Sequence, residues 1–144
     1  MRVLVVNGPN LNLLGIRRPD VYGTTTLDDL DHRCREWGQT LDLDVVTFQS
    51  NHEGEIIDRL HEARLDCAGV VINPGALTHY SYALHDAIEA IGLPVVEVHI
   101  SDTGAREAWR RESVIRPVVI GAVIGKGIEG YREALGTLAE HLSG

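Results

Sequence analysis

Short apolar runs bounded by glycine, proline and asparagine alternate along this chain with segments whose apolar residues recur every three or four positions. The first pattern is that of a strand and the second that of an amphipathic helix. The alternation occurs five times. It predicts strands over residues 3–7, 44–49, 68–73, 95–100 and 118–124, all rich in valine and isoleucine. Three of these runs are nearly continuous in apolar residues, as parallel strands covered on both faces are. Thr26, followed by Leu27-Asp28-Asp29-Leu30, predicts a capped helix start with acids in its first turn. Helices are expected over 53–65, 80–91 (stopped by Gly92 and Pro94), 105–111 as a shorter piece, and 127–142.

Five βα units without a repeat or a linker imply one α/β catalytic domain spanning 1–144. It is a doubly wound five-stranded parallel sheet whose right-handed crossovers favour the flavodoxin-like order 2-1-3-4-5. Ligands of such sheets bind beyond the carboxyl ends of the strands, where the strand order reverses. Past those ends lie Asn7, Asn10, Arg17 and Tyr22 after strand one, Asn73 and His79 after strand three, and Glu97, His99, Ile100 and Ser101 at strand four. Convergent polar groups at a switch point are the signature of a small-molecule site. The connection 8–25 is long for a compact α/β unit and reads as a lid or binding loop, because it carries Arg17, Arg18 and Tyr22.

Composition narrows the chemistry. Apolar residues make up 44% of the 144 and charged residues 24%, ordinary for a globular domain, and no run approaches a membrane span. The first residues read as a strand without a signal-peptide pattern, so a cytoplasmic protein is expected. A net charge of −8 without a basic face argues against a nucleic-acid partner. Cys34 and Cys67 have no neighbours at ligand spacing and no metal is expected. Residues 125–130 fit G-x-G-x-x-G, but they follow the last predicted strand and read as a tight turn with close helix–strand packing. Twelve arginines stand against a single lysine, Lys126 in that turn, so a Schiff-base mechanism has no good candidate. No cofactor is implied.

Several motifs in order resemble those of type II 3-dehydroquinate dehydratase. They are Asn7-Gly8-Pro9-Asn10-Leu11 with Leu14-Gly15, and Arg17-x-Pro19-x-x-Tyr22-Gly23. Gln49-Ser50-Asn51-His52-Glu53-Gly54, Asn73-Pro74-Gly75-Ala76 with Thr78-His79, and Glu97-Val98-His99-Ile100-Ser101 follow. Arg106-Glu107 with Arg110 and Ser113, and the glycine-rich turn ending at Tyr131, complete a resemblance that runs from Val3 to about Leu142. It implies a hydro-lyase that removes water from 3-dehydroquinate by anti elimination through an enolate, giving 3-dehydroshikimate, in the shikimate pathway or quinate catabolism. By resemblance Tyr22 is the base, Arg17 its activator, and His99 the acid with Glu97 orienting it. Asn10 would hold a water at the enolate oxygen, and the amides of Ile100 and Ser101 would bind the substrate carboxylate. Asn73, His79 and Arg110 would read the hydroxyls and carboxylate. Asp86 would reach the site of a neighbouring subunit, so homotrimers are implied, four of them forming a dodecamer.

Asp102, Tyr80, Tyr82, His85 and Trp109 depart from the family's usual residues, near the expected subunit contact and the substrate's far side. They leave the acid–base pair intact. Two other readings stand beside the dehydratase: a related enzyme on another cyclic hydroxy-ketone, and a non-catalytic flavodoxin-like binding module.

Overall fold

The computed structural model describes all 144 residues. Five parallel strands, β1 (Arg2–Asn7), β2 (Asp44–Gln49), β3 (Gly69–Asn73), β4 (Val95–His99) and β5 (Gly121–Ile124), form one sheet in the order β2-β1-β3-β4-β5, as expected. Between them run α1 (Pro19–Tyr22), α2 (Leu27–Thr40), α3 (Glu53–Asp66), α4 (Tyr82–Ile91) and, after β5, α5 (Glu129–Ser143).

Successive side chains of a strand point to opposite faces, and both faces are covered. Val3, Val5, Val71, Val96 and Val98 pack with Leu30 and Cys34 of α2 and with Tyr131, Leu135 and Leu138 of α5. Leu4, Val6, Val70, Ile72 and Val95 pack with Ile56 and Leu60 of α3 and with Leu84 and Ile88 of α4. Burial of each such valine or leucine contributes roughly 1.5–3 kcal/mol. The double covering explains the unbroken apolar runs. β4 places Glu97 and His99 on the same side as Val95, toward α4.

Helix α2 begins where Thr26 predicts. Its hydroxyl accepts from the Asp29 amide while the Asp29 carboxylate accepts from the Thr26 amide, a reciprocal capping box. Elsewhere the boundaries move for local reasons. Helix α4 starts at Tyr82 rather than 80, because the Ser81 hydroxyl caps the Leu84 amide at 3.0 Å. β5 starts at Gly121 rather than 118, because Pro117 lacks the donor a ladder needs and sits in a 3₁₀ turn, Arg116–Val118. The expected helix 105–111 is instead two 3₁₀ turns, Thr103–Ala105 and Ala108–Arg111, with Arg106 extended between them. The long connection 8–25 is structured by a 3₁₀ turn at Leu11–Leu13 and by α1, which Pro19 opens.

Residues 125–130 form the tight turn the sequence predicts. Gly125 and Gly127 have positive φ, and their amides donate to the carbonyls of His99 and Ile100. The turn thereby fixes the backbone at the end of β4. No helix is long and apolar enough to cross a membrane.

Candidate active site

A cavity of about 210 Å³ opens past the carboxyl ends of β1, β3 and β4. Its floor depends on two loops that nearly touch. A side chain at Gly8 would place its Cβ 2.6 Å from the Pro74 carbonyl oxygen, and one at Gly75 would come within 3.0 Å of the Pro9 carbonyl oxygen. Asn10, in left-handed conformation with φ 72°, is held by its amide, which donates to Asn51 Oδ1 at 2.9 Å. Gln49 Nε2 donates to that same oxygen and to the Gly8 carbonyl. The polar segment after β2 therefore supports the loop after β1 rather than lining the cavity.

Beneath the floor, the buried Tyr131 hydroxyl donates to Asn7 Oδ1 and accepts from Asn73 Nδ2 at 2.9 Å. Burial pushes this phenol far above its usual range, so it stays a neutral linker between the ends of β1 and β3. Asn73 Oδ1 in turn accepts from the Gly75 amide at 3.1 Å.

On the β4 side, Glu97 is fully buried and forms a dense hydrogen-bonded centre. Its Oε2 accepts from His99 Nε2 at 2.6 Å and from the hydroxyls of Thr78 and Ser113 at 2.8 Å each. Its Oε1 accepts from Arg116 Nε at 2.9 Å. Burial alone would raise the carboxyl, but the bonds from His99, Arg116 and Ser113 outweigh it and hold Glu97 at about 2. An ionised carboxylate only accepts, so His99 Nε2 carries its hydrogen toward Glu97 and Nδ1 is left to exchange a proton.

Tyr22 lines the same cavity. Its hydroxyl accepts from Arg106 Nη1 at 2.8 Å, and Arg106 also reaches Ser101 Oγ at 3.4 Å. Arg17 lies over the ring face, its Cζ 4.6 Å from the centroid. One guanidinium meets the oxygen and the other meets the π-face. Both place a fixed positive charge against the phenol.

The remaining corner is cationic. Ile100 and Ser101 line this corner, and their amides donate to no backbone carbonyl. Arg110 and His79 stand nearby, braced by Trp109. The Arg110 Cζ sits 4.0 Å over the indole, and the His79 ring meets it edge-on at 5.2 Å. Arg110 Nε donates to Glu107 at 2.6 Å, and His79 Nδ1 lies 2.6 Å from the Glu112 carbonyl. Burial lowers the titration of His79, so it is neutral at neutral pH. Three arginines and no carboxylate line the cavity, a composition suited to an anionic ligand.

The Dehydroquinase class II family model matches residues 1–139. The chain belongs to the class II dehydroquinase family. It is 54% identical over 133 residues to a 3-dehydroquinate dehydratase of Bacillus licheniformis, covering 92% of each chain. It is 56% identical over 135 residues to the enzyme of that name from Thermotoga petrophila, covering 94% of this chain and 92% of the other. The crystal structure of the type II dehydroquinase from Propionibacterium acnes superposes with a TM-score of 0.93 at 46% identity, covering 96% of each chain.

Within this class II dehydroquinase, Asn10, Arg17, Tyr22, Asn73, His79, His99, Ile100, Ser101 and Arg110 line the one cavity. Glu97 lies directly behind His99. Asp86 stands apart on α4, its carboxylate largely exposed and paired with His85 at 3.1 Å, outside this chain's own cavity. Asp102 spends its charge locally, its Oδ1 accepting from the Gly104 amide at 3.1 Å. Two functional contacts escaped sequence reasoning. Arg106 was visible only as part of a motif, and Arg116 carried no signal at all.

Proposed function

We propose that the protein is a 3-dehydroquinate dehydratase, a hydro-lyase that converts 3-dehydroquinate to 3-dehydroshikimate by anti elimination through an enolate. One observation carries the reading. One cavity is lined both by a phenol touched by two guanidiniums and by an imidazole held by a buried ionised carboxylate. A base and an acid lining one cavity suit removal of a proton and a hydroxyl from a ring bound between them.

The substrate's carboxylate would accept from the Ile100 and Ser101 amides, with Arg110 and His79 beside it and Asn73 reading a ring hydroxyl. Tyr22, as phenolate, takes the proton beside the ketone. Arg17 and Arg106 hold fixed positive charge against it, neither losing that charge at any working pH. The carbanion delocalises onto the ketone oxygen as an enolate, near Asn10, which would hold a stabilising water. His99, protonated, gives its proton to the departing hydroxyl as the double bond forms, and water leaves. Glu97 keeps the imidazole oriented and stabilises its charged form.

Asp86 is read as a contribution to a neighbouring subunit's site, in a trimer that assembles further into a dodecamer. Its exposure outside its own cavity supports that placement. The enzyme would act in the cytoplasm, in aromatic biosynthesis or quinate breakdown.

Incubation with 3-dehydroquinate should produce the ultraviolet absorbance of a conjugated enone. Folded protein that gives none would overturn the assignment. Tyr22→Phe should nearly abolish turnover while ligand binding stays measurable, and a substantial residual rate would remove Tyr22 from the base role. A monomeric mass in light scattering would contradict the shared site.

A further inference from the structure

Glu97 holds one negative charge between two cationic partners. His99 and the two hydroxyls share Oε2, whereas Arg116 alone takes Oε1 at 2.9 Å. Arg116 does not line the cavity and touches none of its lining residues through these bonds. It stands at the start of the 3₁₀ turn Arg116–Val118, between the fully buried Ile115 and Pro117, so its backbone is fixed from both sides. Its side chain is 44% exposed. A guanidinium so placed could have stayed in water, yet it is turned inward to a buried carboxylate.

We propose that Arg116 is a positioning residue that tunes how readily His99 releases its proton, acting through Glu97. This rests on His99 being the proton donor of the reaction. A buried carboxylate with one cationic partner holds an imidazolium tightly, because the proton is the only positive charge available to it. A second fixed cation on the far oxygen shares that charge and weakens the hold. Arg116 never deprotonates, so its effect is the same at every working pH. It also pins the carboxylate plane, leaving Oε2 aimed at Nε2.

The other groups around this pair do not duplicate the role. Thr78 and Ser113, from the segments after β3 and before β5, are neutral donors. His79 is neutral at neutral pH, and Arg110 is engaged by Glu107 and the Trp109 ring. Arg106 bonds Tyr22 and Ser101 rather than this pair. Arg116 is the only arginine bonded to Glu97 itself.

The test compares wild type with Arg116→Gln, which removes the charge but keeps a donor, and Arg116→Lys, which keeps the charge. Two readouts are taken: the alkaline limb of kcat/KM with 3-dehydroquinate, and the imidazole NMR titration of His99 without substrate. In Arg116→Gln both should move to higher pH by about one unit, a modest figure because Arg116 is partly in water. Arg116→Lys should leave both close to wild type. Thermal melts establish folding, and Arg116→Met carries the same expectation should the glutamine variant not fold. A charge-removing variant that folds with both readouts at their wild-type positions would overturn the proposal, whatever its loss of rate or stability. Wild type that turns over no substrate, with the NMR shift intact, would instead remove the dehydratase reading and leave the coupling standing.

Discussion

Replacing Glu97 with glutamine removes a fully buried negative charge that His99 and Arg116 both bond. The carboxyl titrates at about 2 in the folded protein against an ordinary 4.5. That difference corresponds to roughly 3 kcal/mol of stabilisation at neutral pH. The direction follows from the depressed value. Below its unfolded value the carboxyl begins to protonate in the unfolded chain but not in the folded one, so the contribution is complete above about pH 4.5 and is lost as pH falls toward 2. Glutamine has nothing to titrate there. Urea unfolding of wild type and Glu97→Gln between pH 2 and 7 should give a stability gap of about 3 kcal/mol or more near neutrality, since removing the buried carboxylate leaves its hydrogen-bond donors without their acceptor. The gap should narrow below pH 4.5, by no more than about 1.4 kcal/mol per pH unit for a single proton. Turnover at pH 7 should fall in parallel, because the His99 ring loses the carboxylate that orients it. A gap that stays constant from pH 7 to pH 2 would refute the reasoning, because Glu97 would then not be held ionised by its partners.

Arg106→Gln should lower kcat about 10- to 100-fold with little change in KM, the equivalent of one charge-assisted hydrogen bond to the reacting phenolate; steady-state kinetics showing less than a threefold loss would detach Arg106 from Tyr22. Tyr131→Phe leaves Asn7 Oδ1 and an Asn73 amide hydrogen unpaired in the interior, so urea unfolding should report a loss of about 1–3 kcal/mol. KM should rise with it as Asn73 loses its anchor, and an unchanged KM would mean the asparagine is held by Gly75 alone. Gly8→Ala drives a methyl to 2.6 Å from the Pro74 carbonyl oxygen. The two floor loops must part, and a melt should register about 1–3 kcal/mol of destabilisation. Borohydride with substrate should leave activity intact: the sole lysine, Lys126, pairs with Glu133 at 2.7 Å and lies outside the cavity. Inactivation would revive a covalent amine route.

The fold was legible where burial imposes a pattern. Val70, Val71 and Ile72 form an unbroken apolar run because α2 and α5 cover one face of the sheet and α3 and α4 the other. A chain of five such units has few ways to bury itself. The strand order also located the cavity, since the loops after β1, β3 and β4 can meet only at the switch point. Legibility failed where a contact depends on a backbone path that no periodicity encodes. Arg106 and Arg110 stand four apart, the spacing of neighbours on a helix face, and 105–111 reads as a short helix. The chain instead breaks at Arg106, and that break turns its guanidinium onto Tyr22. Arg116 is 19 residues from Glu97 and reaches it only because Pro117 delays β5. In both cases the charged group is set by an irregular segment resting on the regular frame. Arginines brought in by such segments reach the two polar centres of the site, Arg106 bonding the Tyr22 hydroxyl and Arg116 bonding Glu97 behind His99. The electrostatics of this site is therefore written less in its conspicuous motifs than in the turns between β4 and β5.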